Sequence, residues 1–510
     1  MTKDLGDFQT PPELIKEVID CLYQTGQRWS RALEPTCGSG GFIKGFIESP
    51  SPPREIVGFE IQDRHLERAL QIAESSPSTK VQIRKANIFD VDLKRDLRWR
   101  ARGPLLVIGN PPWVTNSALG ALGSSNLPRK SNVKKLRGIE AMTGSSNFDI
   151  AEFIWLKLIT ELADQEPTIA LLCKTSVARN ILQFAYDNSI SVKKSWLRRI
   201  DAKKHFKAAV DACLFCVDMG SGEAEQETPV FASLSSGQPE TVMGFTRSRL
   251  IFDIETYSKV EFADGHCPIV WRQGVKHDAA QVMELEREEN SFYNRRGDLV
   301  DVEPEYIYPI LKGGDLFQSR QVKPRRAVLI PQQRIGEDTH RLESAAPRLW
   351  RYLECNRDIF DRRKSSIYRA KPPFSIFGIG SYSFTRFKVA VSGLHKEPRF
   401  RLIACKDDRP VMLDDTCYFL PCQSEQQAAL ITALMNHRTT QQFIRSTMFP
   451  DAKRPITKRL LQRIDLIAVL NQVDRSLILK ASDEELKKPN SRSDSSSNPW
   501  PDDLSVLLKA

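Results

Sequence analysis

The 510-residue sequence predicts an α/β fold, with a doubly wound, mainly parallel sheet in the first half and a second domain of different character after it. Three observations lead there. Short apolar runs alternate with helix-period segments through the first half. One of these runs ends in a glycine-rich turn. At Ser221–Gly237 the composition shifts to Gly, Ser, Glu and Pro, and beyond it strands, turns and basic runs follow irregularly.

Leu14–Leu22 and Leu66–Ala73 carry apolar residues at the 3.6-residue period of helices that bury one face. Arg31–Glu34, Glu55–Phe59, Lys80–Arg84 and Leu105–Ile108 read as strands, their lengths and branched apolar residues suiting a sheet covered on both faces. Ala151–Leu162 reads as a helix, and Thr168–Cys173 and Ala212–Asp218 as further buried strands. The expected domains are 1–222 and 223–485. The Ser-, Pro- and Asn-rich tail 486–510 is expected to be disordered.

Composition excludes several classes. A hydrophobic fraction of 41% with 27% charged residues suits a soluble globular protein, not a coiled coil, a collagen-like repeat or a disordered chain. No run approaches the roughly 20 apolar residues of a bilayer span, so no membrane partner is expected. The charged start Met1–Asp7 lacks a signal-peptide core, and ten scattered cysteines form no disulfide framework; together they fit a reducing cytosol. Cys213 and Cys216 make a lone C-x-x-C inside an apolar run, read as buried strand thiols because the second ligand pair of a zinc site is missing; no metal is expected. Lys and Arg number 74 against 64 Asp and Glu, a net charge of +10 that points to nucleic acid only if it clusters beside a matching site.

Leu33-Glu-Pro-Thr-Cys-Gly-Ser-Gly-Gly-Phe42 joins a strand to a helix. Gly38, Gly40 and Gly41 let backbone approach a ligand that side chains would block. No Gly-Lys-Ser/Thr follows to make a phosphate loop, and the acidic Glu34 at the head of the turn suits a cationic or polar group better than pyrophosphate. Glu60 ends the next strand, where a carboxylate can accept both ribose hydroxyls of a nucleoside. This half of the site predicts an adenosine-containing ligand.

The sharpest signal is Leu105-Leu-Val-Ile-Gly-Asn-Pro-Pro-Trp113. Asn110 offers an amide oxygen. Pro111 offers a carbonyl and no competing N–H, Pro112 stiffens the backbone, and Trp113 supplies an aromatic plate. Two converging acceptors and a plate suit a planar exocyclic amine. Such a nitrogen is a poor nucleophile because its lone pair is delocalised into the ring. Accepting hydrogen bonds from its protons favours pyramidalisation and prepares in-line attack.

At these motifs the chain resembles the γ-class, amino-group S-adenosylmethionine-dependent DNA methyltransferases that make N6-methyladenine. Phe8-Gln-Thr-Pro-Pro-Glu13 resembles the motif whose Thr, here Thr10, helps hold the methionine carboxylate. Glu34–Phe42 resembles the cofactor loop, Glu60 the ribose-binding acid, and Asn110-Pro-Pro-Trp113 the catalytic tetrapeptide. Phe206, in Lys204-His-Phe-Lys207, resembles the aromatic that packs on the opposite face of the flipped base. Asn87, in Lys85-Ala-Asn-Ile-Phe-Asp90, stands where the family carries an acid that receives the adenine amino group. Its amide oxygen can still accept. Pro35, Gly38, Gly40, Ile61 and Ile88 complete the implied cofactor contacts.

The resemblance implies a class I methyltransferase domain, Rossmann-like with a seven-stranded sheet, followed by an α+β target-recognition domain. It also implies S-adenosyl-L-methionine as cofactor, duplex DNA as partner, a separate cognate restriction or defence protein, and a place in the bacterial or archaeal cytoplasm or nucleoid. The same signature occurs in N4-cytosine methylases and in methylases of RNA and of protein glutamine. The long second half argues against the last of these.

In that half Trp271–Asp278, Glu305–Asp315, Ala346–Leu353, Phe374–Phe384 and Lys453–Thr457 resemble stretches of target-recognition domains. Two basic runs suit phosphate contacts: Leu127–Arg137, with Arg129, Lys130, Lys134 and Lys135, and Asp361–Lys371, with Arg362, Arg363 and Lys364.

Overall fold

The structure is a computed structural model and describes residues 9–76, 78–114, 149–221, 225–289, 291–318, 324–487 and 499–509. The run Leu127–Arg137, with Arg129, Lys130, Lys134 and Lys135, lies outside the described residues. The chain divides into two compact units, Met1–Ile254 and Glu255–Ala510.

The first unit is built on ten strands: β1 (Arg31–Glu34), β2 (Glu55–Glu60), β3 (Lys80–Lys85), β4 (Leu105–Gly109), β5 (Thr168–Lys174), β6 (Val192–Ile200), β7 (Ala212–Met219), β8 (Glu227–Phe231), β9 (Thr241–Thr246) and β10 (Arg249–Ile251). Their order across the sheet is β10-β9-β8-β6-β7-β5-β4-β1-β2-β3. From β3 to β5 every neighbouring pair is parallel, and β7 runs antiparallel to both β5 and β6. Every residue of β2 and β4 is buried, as a sheet covered on both faces requires.

Helix α1 (Pro12–Gln24) buries Leu14, Ile15, Val18, Ile19, Cys21 and Leu22, the residues of the predicted apolar stripe. Helices α2 (Gly41–Ile47) and α3 (Asp63–Glu74) follow β1 and β2, and a short α4 (Leu93–Asp96) follows β3. Helix α5 (Ile150–Glu161) precedes β5 and α6 (Thr175–Asp187) follows it; α7 (Ala202–Phe206) lies between β6 and β7. Cys213 and Cys216 are buried on β7. Three positions apart on a strand they point to opposite faces, so their spacing cannot chelate one ion.

Two expectations need correction. The shift at Ser221–Gly237 is not the domain boundary. Beyond it β8 pairs parallel with β6 and carries β9 and β10, so the sheet runs on and the first unit ends at Ile254. Nor is the whole tail loose, because Leu504 and Leu508 of the 3-10 helix Leu504–Leu508 are buried against the helix Glu425–Asn436.

The second unit is α+β. One sheet orders β11 (Arg272–Gln273), β19 (Cys417–Cys422), β16 (Phe387–Ser392) and β17 (Arg401–Ala404), all antiparallel. The other orders β13 (Ser291–Asn294), β12 (Glu284–Glu288), β15 (Arg326–Leu329), β14 (Ile307–Leu311) and β18 (Met412–Leu413). Among the described residues no helix is long and apolar enough to cross a membrane.

Lys388 on β16 is 1% exposed, donates to the Thr385 carbonyl at 2.9 Å, and pairs with no carboxylate among the described residues. Burial pushes its pKa down to about 8. From about pH 8 to pH 10.5 the unfolded chain binds more protons than the folded one, so stability rises with pH across that window. Below it the folded state carries the full cost of a buried ammonium. Lys388→Met is expected to raise stability at pH 7 by about 1–2 kcal/mol, the desolvation relieved less one hydrogen bond lost. Urea titrations of both proteins at pH 7 and pH 10 check this: the gain should shrink at the higher pH.

Candidate active site

The strand order reverses between β1 and β4, the switch point at which doubly wound sheets bind ligands. Both sequence motifs sit there. Arg31, Ala32 and Leu33 register with Leu105, Leu106 and Val107, so Glu34 leaves β1 beside the end of β4, where Gly109 gives way to Asn110. A Cβ on Gly109 would lie 3.5 Å from Glu34 Cγ.

On the cofactor side, Gly40 caps α2 in the left-handed region at φ +80°, and a Cβ there would come within 3.3 Å of Ala69 Cα on α3. The turn is therefore closed to side chains at Gly40 by its packing on α3. Glu60 is buried, and its carboxylate accepts from Gly38 N at 2.8 Å, Ile61 N at 2.9 Å and Gln62 N at 2.7 Å. These bonds tie the turn after β1 to the end of β2 and fix the acid there. Ile61 beside it leaves its side chain 41% exposed, while Ile88 and Pro35 are buried.

Glu34 is 3% exposed, and its Oε2 has no hydrogen-bond partner. Burial first, then the neighbouring Glu60 charge, holds its carboxyl well above the usual carboxylate range. A buried carboxyl with an unsatisfied oxygen costs stability unless a donor or a cation reaches it. An ammonium group answers both needs. A buried acid for an amine, a strand-end acid for a ribose and an uncovered isoleucine for a base edge fit S-adenosylmethionine.

Asn87 uses its Oδ1 to accept from Phe89 N at 3.2 Å, an Asx turn closing β3. That oxygen is thus partly committed within the chain.

On the reactive side, Asn110 Nδ2 donates to Thr10 Oγ1 at 3.3 Å. The amide nitrogen is thereby anchored, and the oxygen is directed away from Thr10. Thr10 thus touches the reactive motif. Gln9, which the sequence reading passed over, lies across the turn: its Oε1 accepts from Ser39 N at 3.1 Å, and a Cβ on Gly38 would strike the same amide at 2.8 Å. A Gln before the Thr-Pro-Pro run was its only signal.

Pro111 and Trp113 are buried and Pro112 is half-buried. The Trp113 indole donates to the Leu172 carbonyl at 3.3 Å. Phe206 ends α7, which Asp201 caps by accepting from Lys204 N at 2.9 Å. The two rings expected on opposite faces of a base touch each other: their centroids are 5.0 Å apart, edge to face at 71°. A base between parallel plates needs about 7 Å, two carbon contacts of about 3.5 Å each. The structure brings both aromatics to one place and holds them in contact.

The basic run of the second unit divides. Arg362 and Lys364 are exposed, Arg362 pairing with Asp358 at 3.3 Å. Arg363 instead turns inward, donating to the carbonyls of Ser375 at 2.7 Å, Phe360 at 3.0 Å and His277 at 3.2 Å, with its guanidinium 3.7 Å over the Tyr368 ring. It serves the fold, contrary to its expected place among the phosphate contacts.

A β3-β2-β1-β4-β5-β7-β6 core with β7 alone reversed is the class I S-adenosylmethionine-dependent methyltransferase fold, and S-adenosylmethionine is its cofactor. No protein-family model matches the chain. It is 37% identical over 464 residues to the type II methyltransferase M.NspV of Nostoc sp. (strain ATCC 29411 / PCC 7524), covering 91% of this chain and 96% of that one. The chain belongs to the type II methyltransferases, the modification enzymes of restriction–modification systems. Its fold is also similar to that of the type IIL restriction-modification enzyme MmeI, solved in complex with DNA: TM-score 0.53 at 14% identity, over 97% of this chain and 74% of that one.

Proposed function

We propose that the enzyme is a γ-class, site-specific DNA methyltransferase that methylates N6 of an adenine flipped out of duplex DNA. The observation that carries this reading is the anchored Asn110 amide at the end of β4, beside the buried Glu34. Bound S-adenosylmethionine supplies an electrophilic methyl group on a sulfonium. Asn110 Oδ1 and the Pro111 carbonyl accept the two N–H bonds of the adenine amine and localise its lone pair for in-line attack. The proton that the nitrogen loses on methylation would leave to water. Duplex DNA is the favoured substrate because the MmeI structure holds DNA and because restriction–modification enzymes act on it. Inside the stack the amine is out of reach, hence flipping. Trp113 and Phe206 part to admit the base.

An N4-cytosine methylase would use the same acceptor pair. Digestion of DNA methylated by the enzyme, followed by nucleoside mass spectrometry, is expected to show N6-methyladenine. N4-methylcytosine alone would overturn the adenine reading.

Residues 1–254 would thus carry catalysis and 255–510 target recognition, with a separate nuclease or defence protein as cognate partner in the cytoplasm. DNA affinity should fall steeply with salt, and neutralising Arg362 and Lys364 together should reduce the slope of log K against log salt by about 2. Arg363→Ala should lower thermal stability instead, and a matching loss of slope from Arg363 alone would contradict its inward placement.

A further inference from the structure

Beyond Gly109, β4 leaves the sheet while β5 continues, the last paired residues being Gly109 and Leu171. The Asn110–Trp113 backbone then has no ladder to hold it, and its two prolines have no N–H to offer. β5 supplies two substitutes: the Leu172 carbonyl accepts the Trp113 indole N–H, and Lys174 Nζ donates to the Trp113 carbonyl at 3.1 Å. The same ammonium donates to Asp149 Oδ2 at 2.6 Å, in a pair whose side chains are 22% and 8% exposed. Asp149 in turn caps α5 by accepting from Ala151 N at 3.0 Å, and Ile150 N donates to the Val114 carbonyl at 2.9 Å. One ammonium therefore joins the chain as it leaves the tetrapeptide to the chain as it enters α5.

We propose that Lys174 is a positioning residue for methyl transfer: through Asp149 and the Trp113 carbonyl it fixes the Asn110–Trp113 backbone against the methyl donor. This rests on the assignment of that tetrapeptide as the reactive loop. Lys174 touches neither base nor donor in this role. Its effect belongs in the rate of the bound complex, since reacting atoms displaced by about 1 Å can lose on the order of 10²-fold in rate.

Lys174→Met alone leaves the Asp149 carboxylate buried and unpaired and can fail to fold. The test variant is therefore Asp149→Asn/Lys174→Met, in which the amide still caps α5 and no lone charge remains. With duplex DNA carrying the base that the parent methylates as substrate, kcat is expected to fall about 10²-fold, with S-adenosylmethionine Kd and DNA KM within about threefold of the parent. Lys174→Arg, which keeps the donor and the charge, should recover at least a tenth of the parent kcat. A readout independent of turnover is the Trp113 indole N–H resonance in ¹⁵N-tryptophan-labelled protein, assigned by its loss in Trp113→Phe. It should shift or broaden in the double variant. A folded double variant with kcat within threefold of the parent, or an unmoved Trp113 resonance, overturns the proposal. Failure of the adenine reading would show separately, in the identity of the parent's product.

Discussion

Asn110→Ala is expected to lower methyl transfer by about 10²–10³-fold or more while leaving S-adenosylmethionine affinity within about twofold of the parent. The magnitude is that of removing one preorganised hydrogen-bonding group from a reacting centre. The direction follows from the division of labour at the switch point. In the proposed reading donor binding is the work of the β1 turn, Glu34 and Glu60, whose carboxylate is held by three backbone N–H groups that Asn110 does not touch. Orientation of the amine is there assigned to Asn110 and the Pro111 carbonyl, and the first is held by its 3.3 Å bond to Thr10. Asn110→Asp separates the parts of that role, since it keeps acceptors but loses the donor to Thr10 and adds a charge beside Glu34; it should be nearly as inactive. Single-turnover transfer of tritiated methyl to duplex DNA, paired with calorimetric titration of the cofactor, checks both numbers. An Asn110→Ala enzyme within fivefold of the parent would remove the tetrapeptide from catalysis.

The candidate site was legible where its residues sit at strand ends. Glu34, Glu60 and Asn110 each close an apolar run, and a parallel sheet brings those ends to one edge whatever the intervening segments do. Strands β1 to β5 and β7 and helices α1 and α3 follow from apolar spacing for the same reason: their partners are other buried elements, and burial is what spacing records. What depends on the direction of a single side chain was not legible. Arg362, Arg363 and Lys364 are equivalent in a sequence, yet the middle one is folded onto three carbonyls. Lys174 reads as the polar end of a strand, and its bond to Trp113 exists only because β4 departs where it does. Strands β8 to β10 were lost in a stretch rich in Gly, Ser and Pro. Pro229 on β8 is admissible because pairing with β6 begins only at Val230, a context the composition does not carry.

Gly274→Ala is expected to unfold the second unit under conditions in which the parent is stable, at a cost above about 4 kcal/mol. Gly274 lies in Trp271–Asp278, one of the stretches that resemble target-recognition domains. A Cβ there would lie 2.1 Å from the Asp414 carbonyl oxygen and 2.3 Å from that of Leu413. Both obstacles are backbone, and both are fixed by hydrogen bonds on either side: Gly274 N donates to the Cys417 carbonyl at 3.1 Å and Val275 N to the Leu413 carbonyl at 2.6 Å. The chain cannot retreat the other way. There Gly378, at φ +71°, brings its own missing Cβ within 2.1 Å of the Gly274 carbonyl, and Lys276 and Phe377 exchange two hydrogen bonds of 2.9 Å. Three segments thus cross at one point with room for a hydrogen and nothing larger. Gly314→Ala is the matching control. That glycine is the second residue of a short helix, Gly313–Gln318, and a Cβ on it meets nothing within 4 Å, so the substitution should be neutral or slightly stabilising through helix propensity. Urea titration of the parent and both variants, with limited proteolysis to locate the cuts, checks the pair. A Gly274→Ala protein that unfolds at the parent's urea midpoint would show that the crossing can open at no cost, and the need for glycine in this stretch would lose its physical basis.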